Sequence, residues 1–204
     1  MRLLAVLWLS VGLVGCASTG SPQRSEEGLI DARAKISMGR CDTKLVADLR
    51  KHPVPELDQQ AAYVCLQQGE VKAVEALLED YQQRHVEPPH PDYSAYLLTL
   101  AQYARFEMAA EDDVLRLKEG RKLHAQFADF VRRFPDSDYR TEIAPRLHEL
   151  LEGMAAAEYR LALTAAEAGD REGGRQRMDY VARYYPHTES GREARAWLER
   201  LQEE

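Results

Sequence analysis

The residues best placed to do chemistry are cysteines. Leu13-Val14-Gly15-Cys16 closes an apolar run that begins at Leu3, just behind Arg2. A positive start, a short apolar stretch and small residues leading into a cysteine form the pattern of a bacterial lipoprotein signal. Cleavage ahead of Cys16 would leave its thiol as the lipid acceptor. Acyl chains rather than a spanning helix would then hold the body at a membrane. The apolar run is too short to span a bilayer, and no later stretch approaches ~18 apolar residues. Ala17, rather than Asp, follows the cysteine, so the outer membrane is the expected destination, with the body in the periplasm.

Cys41 and Cys65 remain. An even pair in an oxidising compartment suggests a disulfide; the other reading is two buried free thiols on neighbouring helices. Two thiols with no histidine set at ligand spacing do not make a metal site. His85 and His90 flank Pro88-Pro89 near Asp92, an arrangement that reads as a solvated turn before it reads as a metal site. His148-Glu149 lacks the second histidine of a zinc-protease helix, and neither a phosphate-binding glycine loop nor a Gly-x-Ser-x-Gly elbow occurs. Gly173-Gly174 reads as a close-packing or helix-start feature, and Glu111-Asp112-Asp113 as a solvated loop. No catalytic residue, cofactor or metal is assigned, and no enzyme is expected. The formal charge of −7 becomes one unit more negative once Arg2 is removed. That balance argues for solubility and against nucleic acid as a partner.

The elements that would carry these residues are helices. Ala, Leu, Glu, Arg and Gln dominate, and apolar residues recur at three- and four-residue spacings, as in Ala62, Leu66, Ala73, Leu77 and Tyr81. Breaks fall at Gly39, Pro53, Pro55, Gly69, Pro88 to Pro91, Pro135, Gly169 and Pro186. Nine helices follow, near 26–38, 44–51, 56–68, 71–84, 92–109, 120–134, 138–168, 171–185 and 189–202. Thr43, Ser137 and Thr188 stand at N-cap positions, and Gly69 and Gly169 where a left-handed residue ends a helix. Pro145 implies a bend or a short leading turn in the seventh helix.

The chain also repeats itself. Phe127-x-x-Phe130-x-x-x-Phe134-Pro135-Asp136-Ser137 parallels Met178-x-x-Val181-x-x-x-Tyr185-Pro186-His187-Thr188. Each is a helix that ends on proline, a tight turn and a capped new helix. Leu78-x-x-Tyr81 and Leu49 with Pro53 are weaker copies. A repeated helical hairpin that cannot bury its own face marks a solenoid. The last copy follows the tetratricopeptide pattern: Leu161 and Ala162 on the first helix, Gly169 at the turn, then Gly174, Met178 and Val181. Small residues at Ala162 and Gly174 would let the two helices approach closely. The fold expected is all-α, a tetratricopeptide-type helix-turn-helix solenoid of about four to five repeats.

Four segments carry a resemblance to a known family: Asp92 to Leu97 after a Pro/His-rich turn; Phe127 to Tyr139; Arg146-Leu147, Met154-Ala155, Glu158 and Leu161-Ala162 at matching spacing; and Gln176-Arg177 with Tyr185-Pro186-x-Thr188. In these the chain resembles the BamD-like tetratricopeptide lipoproteins of outer-membrane barrel assembly. It departs from them at Ala165-Ala166, where the family carries two aromatics, and from Glu111 to Lys122. The resemblance implies a periplasmic protein-binding scaffold tethered to the outer membrane. Its C-terminal repeats would contact the barrel-forming subunit, and its N-terminal repeats would receive unfolded outer-membrane proteins. It also implies that an arginine nine residues before the last repeat's proline, here Arg177, is a partner contact. The plainer reading of Arg177 is an exposed helix residue paired with Asp179 or with solvent. Of Tyr93, Tyr96, Tyr103, Phe127, Phe130, Tyr159, Tyr180 and Tyr184, most are expected in packing and a minority in a groove that anchors a peptide.

The organisation expected is therefore a signal peptide over 1–15, a flexible tether over 16–27 and a helical domain over 28–204. Two further functions stay open: an adaptor for another envelope machine, of pilus or cell-wall assembly, and a self-associating structural protein of the envelope.

Overall fold

The computed structural model describes residues 22–203, all of whose regular structure is helical. Ten segments follow in order: α1 (Pro22–Ser37), α2 (Thr43–Lys51), α3 (Pro55–Gln67), α4 (Val71–Leu78), α5 (Tyr81–Arg84), α6 (Pro91–Met108), α7 (Asp113–Arg133), α8 (Arg140–Glu167), α9 (Arg171–Tyr184) and α10 (Glu189–Glu203). α5 is one turn, set off from α4 by Glu79 and Asp80, so the two fill the single helix expected over 71–84. The nine expected helices are thus all in place among the described residues. They form four antiparallel pairs, α1–α2, α3–α4/α5, α6–α7 and α8–α9, and α10 closes the stack on α8 and α9. α1 starts at Pro22, inside the stretch expected as tether; the rest of that stretch, with the signal segment and Cys16, lies outside the described residues.

Two kinds of corner hold the stack, and each has its own edge. Within three of the four pairs the first helix ends in a left-handed glycine, at Gly39, Gly69 and Gly169, while α6 ends at Ala109 on the same edge without one. Each of these three corners makes the same two bonds. Arg40, Glu70 and Asp170 donate their N–H to Lys35, Cys65 and Ala165, while the glycine donates to the residue three positions back. This motif satisfies carbonyls that the helix end leaves free. Between pairs, proline makes the corner, at Pro53, Pro88-Pro89, Pro135 and Pro186, with Pro55 and Pro91 opening α3 and α6. The two clear sequence copies fold alike: Ser137 N–H donates to Phe134 and Thr188 N–H to Tyr185. The solenoid therefore has a glycine edge and a proline edge.

The core consists of two clusters that meet at α6. Leu45, Leu49, Val74, Leu77, Tyr81 and Leu97 fill the N-terminal half, and Phe106, Leu123, Phe130, Leu150 and Met178 the C-terminal half. α6 contributes to both. Each such side chain contributes about 1.5–3 kcal/mol by leaving water. The close approach expected between Ala162 and Gly174 is present: a Cβ on Gly174 would lie 2.9 Å from the Ala162 carbonyl oxygen.

Several local expectations are corrected. α7 begins at Asp113, not near 120, because Asp112 caps it by accepting from Leu115 N–H at 2.9 Å. The acidic triplet is thus a helix start, and Asp113 pairs with Arg160 of α8. Asp42 caps α2 in place of Thr43. Ser137 stands ahead of the start of α8 and donates to Asp92 at 2.7 Å. Thr188 does cap α10, accepting from Gly191 N–H at 3.0 Å. α8 runs through Pro145 from Arg140. His85 is buried rather than solvated, for the reason given below.

Candidate protein-docking surfaces

The first surface is built on α9. Asp170 caps this helix through Gly173 N–H, and Gly174, Met178 and Val181 pack inward. Helical spacing then turns Arg177, Tyr180 and Tyr184 outward together. Arg177 does not pair with Asp179, which takes Arg183 instead. It donates at 2.7 Å to Glu158 of α8, and the other oxygen of that carboxylate accepts from Arg121 of α7 at 3.1 Å. The Glu158 side chain is 5% exposed, while those of Arg177 and Arg121 are 47% and 62% exposed. A buried carboxylate is costly unless paired, and here two guanidinium groups pair it from neighbouring helices. Three charged groups leave one net positive charge at the surface.

Tyrosines border this charge. Tyr180 and Tyr184 lie 4.6 Å apart by ring centroids, and Tyr180 and Tyr185 6.0 Å. Tyr184 is exposed and Tyr185 buried. Burial, then Tyr180, then the Glu158 charge push the Tyr185 phenol above the ordinary range. Exposed arginine and tyrosine held by a rigid support have the composition of an interface hot spot.

The second surface is a groove of about 530 Å³ along the first helices of the pairs, lined by Ile36 of α1, Tyr63 and Val64 of α3, His90 and Tyr93 at the start of α6, and Tyr139 ahead of α8. Tyr93 and Tyr96 converge on Tyr139, at 5.6 Å and 4.5 Å between centroids. The tyrosine faces and the neighbouring Gln60 can take an extended peptide, apolar side chains against rings and backbone against the exposed amide. Of the aromatics named from sequence, Tyr96, Phe127 and Phe130 are core, Tyr93 lines this groove, and Tyr180 and Tyr184 stand on the first surface.

Consecutive residues of α3 fix one wall of the groove. Asp58, fully buried, meets His85 Nε2 at 2.8 Å and Arg84 Nη1 at 2.9 Å. Burial raises the Asp58 carboxyl above its usual range, against the pull of His85 and Arg84. Gln59 donates to the carbonyls of Pro89 and His90 and to Ser94 Oγ, and Tyr81 OH donates to Pro89. The 85–90 loop is thereby pinned at both ends.

Cys41 and Cys65 are bonded to each other, S–S 2.05 Å. Beside them Gln68 accepts from Cys41 N–H at 3.1 Å and donates to the Gly39 carbonyl. Among the described residues no group of three His, Cys, Asp or Glu side chains converges as a metal set. Glu158, Arg121 and the Asp58–His85 pair were not assigned from sequence. The available signal was a glutamate on the small-residue stripe Ala155, Ala157, Ala162, a place where a carboxylate needs a cation.

The family described as YfiO, outer membrane lipoprotein, matches residues 31–203. Three similar proteins carry the name outer membrane protein assembly factor BamD. That of Neisseria meningitidis serogroup A is 26% identical over 144 residues, 68% of this chain and 54% of the relative. That of serogroup B is 22% identical over 228 aligned positions, 97% of this chain and 82% of the relative. That of Neisseria gonorrhoeae is 26% identical over 144 residues, again 68% and 54%. The chain thus spans about half the length of two of these relatives.

Proposed function

The chain belongs to the YfiO family of outer membrane lipoproteins, and from that premise we propose that it is a periplasmic scaffold for assembly of outer-membrane barrel proteins. In this reading residues 1–15 are a signal peptide, Cys16 is the acylated anchor in the outer membrane, and the short stretch ahead of Pro22, where α1 begins, connects it to the body. The work is docking rather than catalysis. The Arg177 surface takes an envelope partner, the barrel-forming assembly subunit, and the tyrosine groove takes extended segments of unfolded outer-membrane proteins. The name shared by the Neisseria relatives supports the assembly role.

The observation that carries this reading furthest is the seating of Arg177 on a buried carboxylate. Its guanidinium is half exposed yet held in one place by Glu158. A side chain whose freedom is already removed loses little more on binding. The Cys41–Cys65 bond supports an oxidising compartment such as the periplasm.

The test is recovery of partners from detergent-solubilised membranes with the lipidated full chain. The barrel-forming subunit should be retained, and Arg177→Glu should release it without altering helicity. Recovery of only a pilus or cell-wall component, or only of further copies of the chain, would replace the proposal with one of those roles. Unchanged retention by Arg177→Glu would remove Arg177 as the contact.

A further inference from the structure

We infer that the proline edge of the solenoid faces the bilayer and that Val86, at the tip of the pinned 85–90 loop, rests against the lipid headgroups. This rests on the proposed anchor at Cys16. Parallel first helices set the geometry. The C-terminal ends of α1 and α3 are level at the glycine edge, joined by Cys41–Cys65 and by Gln68 on Gly39 and Cys41. The start of α1 therefore lies at the opposite, proline edge, beside Pro55. From Cys16 to Pro22 the chain can reach about 21 Å at full stretch. α1 has 16 residues, or about 24 Å of helix, and the glycine corner lies beyond that. With its acyl chains in the membrane, the molecule cannot lay its glycine edge on the surface. The proline edge is the one held within reach.

That edge carries a feature without an internal role. Val86 is 96% exposed, the most exposed of the large hydrophobic residues among those described. Its loop holds two non-glycine residues in the left-handed region, Glu87 at φ 52° and His90 at φ 46°. Such conformations persist only where the surroundings impose them. Here the Asp58–His85 pair below and Gln59 and Tyr81 above impose them. The result is an apolar side chain presented outward on a fixed support, at the edge nearest the acyl chains. The exposed Met108 and Val114 belong to the glycine edge and are turned away from the bilayer, toward the periplasm.

The experiment uses the lipidated chain on vesicles of phosphatidylethanolamine and phosphatidylglycerol carrying a nitroxide on a fraction of the headgroups. Tryptophan is placed by Val86→Trp or by Met108→Trp, and the parent with Trp197 sets the background emission. Val86→Trp should be quenched several-fold more than Met108→Trp, which should stay near the parent. Equal quenching, or stronger quenching of Met108→Trp, overturns the orientation. Flotation of the same vesicles reads the anchor separately. A parent chain that does not float removes the anchor and this proposal with it. A chain that floats but shows no difference between the two positions removes the orientation alone.

Discussion

Arg177 on α9 donates to Glu158 on α8 over 2.7 Å, across 19 positions of sequence, and through that carboxylate it is coupled to Arg121 on α7. One buried glutamate thus sets the position of two surface arginines on different helices. Glu158→Gln keeps the volume and removes the charge that orients them. Because both guanidinium groups reach water, stability should fall by only about 1 kcal/mol in a urea titration. Affinity for the partner recovered with the parent should fall about tenfold, ~1.4 kcal/mol. Full affinity in Glu158→Gln would show that the partner does not use the held geometry.

The disulfide closes a loop with a sequence separation of 24. A crosslink of that span stabilises by about 3 kcal/mol through the unfolded chain. The double variant Cys41→Ala, Cys65→Ala should lose that amount in chemical denaturation, and reduction of the parent should reproduce the loss. Hydrogen exchange should place the loosening in α1 and α2, which depend on this link and on the Lys35–Asp42 pair at 2.9 Å. A uniform change across all the helices would contradict the assignment.

Two buried glycines should respond differently to alanine. At Gly174 the new methyl would meet the Ala162 carbonyl oxygen at 2.9 Å and Ala166 Cβ at 3.0 Å, atoms that cannot swing away. At Gly120 it would meet Met154 Cγ at 2.8 Å and Sδ at 2.9 Å, part of a flexible side chain, with the Phe106 ring at 3.2 Å. Gly174→Ala should cost about 2 kcal/mol by overpacking. Gly120→Ala gains helix propensity and should cost less than about 1 kcal/mol. Thermal unfolding of the two variants side by side decides the order.

Acid should act on two carboxyls in opposite directions. The hydrogen bond from Arg50, offset by partial burial and aided by Arg84, holds Asp80 down at about 2. Its contribution is complete above the ordinary aspartate value of about 3.9 and is lost as pH falls toward about 2. Asp58 is raised by burial, so the stability linked to its proton is present at low pH and lost as pH rises through the raised value. Denaturation midpoints measured downward from about pH 6 should fall more steeply between about 4 and 2 in the parent than in Asp80→Asn. Parallel profiles would sink the Asp80 assignment.

Much of the fold was legible because its punctuation is local. Gly69, Gly169, Pro135 and Pro186 each dictate a corner through their own backbone restrictions, and Thr188 caps where it was expected. The start of α7 was missed because Glu111-Asp112-Asp113 reads as a solvated acidic loop, although Asp112 is the cap of a helix that runs on through Gly120. In the fold, its missing side chain makes room for Met154 and Phe106 inside a helix. The docking surfaces were only half legible. Arg177 came from a resemblance, while its support, Glu158, sits on another helix and shows itself only when α8 and α9 pack. His85 read as solvated because nothing nearby in sequence announces Asp58, 27 positions away.

The cystine clasp also sets an order of events. Thiol oxidation does not proceed in a reducing cytosol, so a precursor made there would carry its foremost hairpin unfastened. Threading through a translocation pore requires a loose leading end, and the missing crosslink would leave this chain loosest there. On the proposed export to the periplasm, completion of the first repeat would coincide with arrival there, making maturation a marker of successful export.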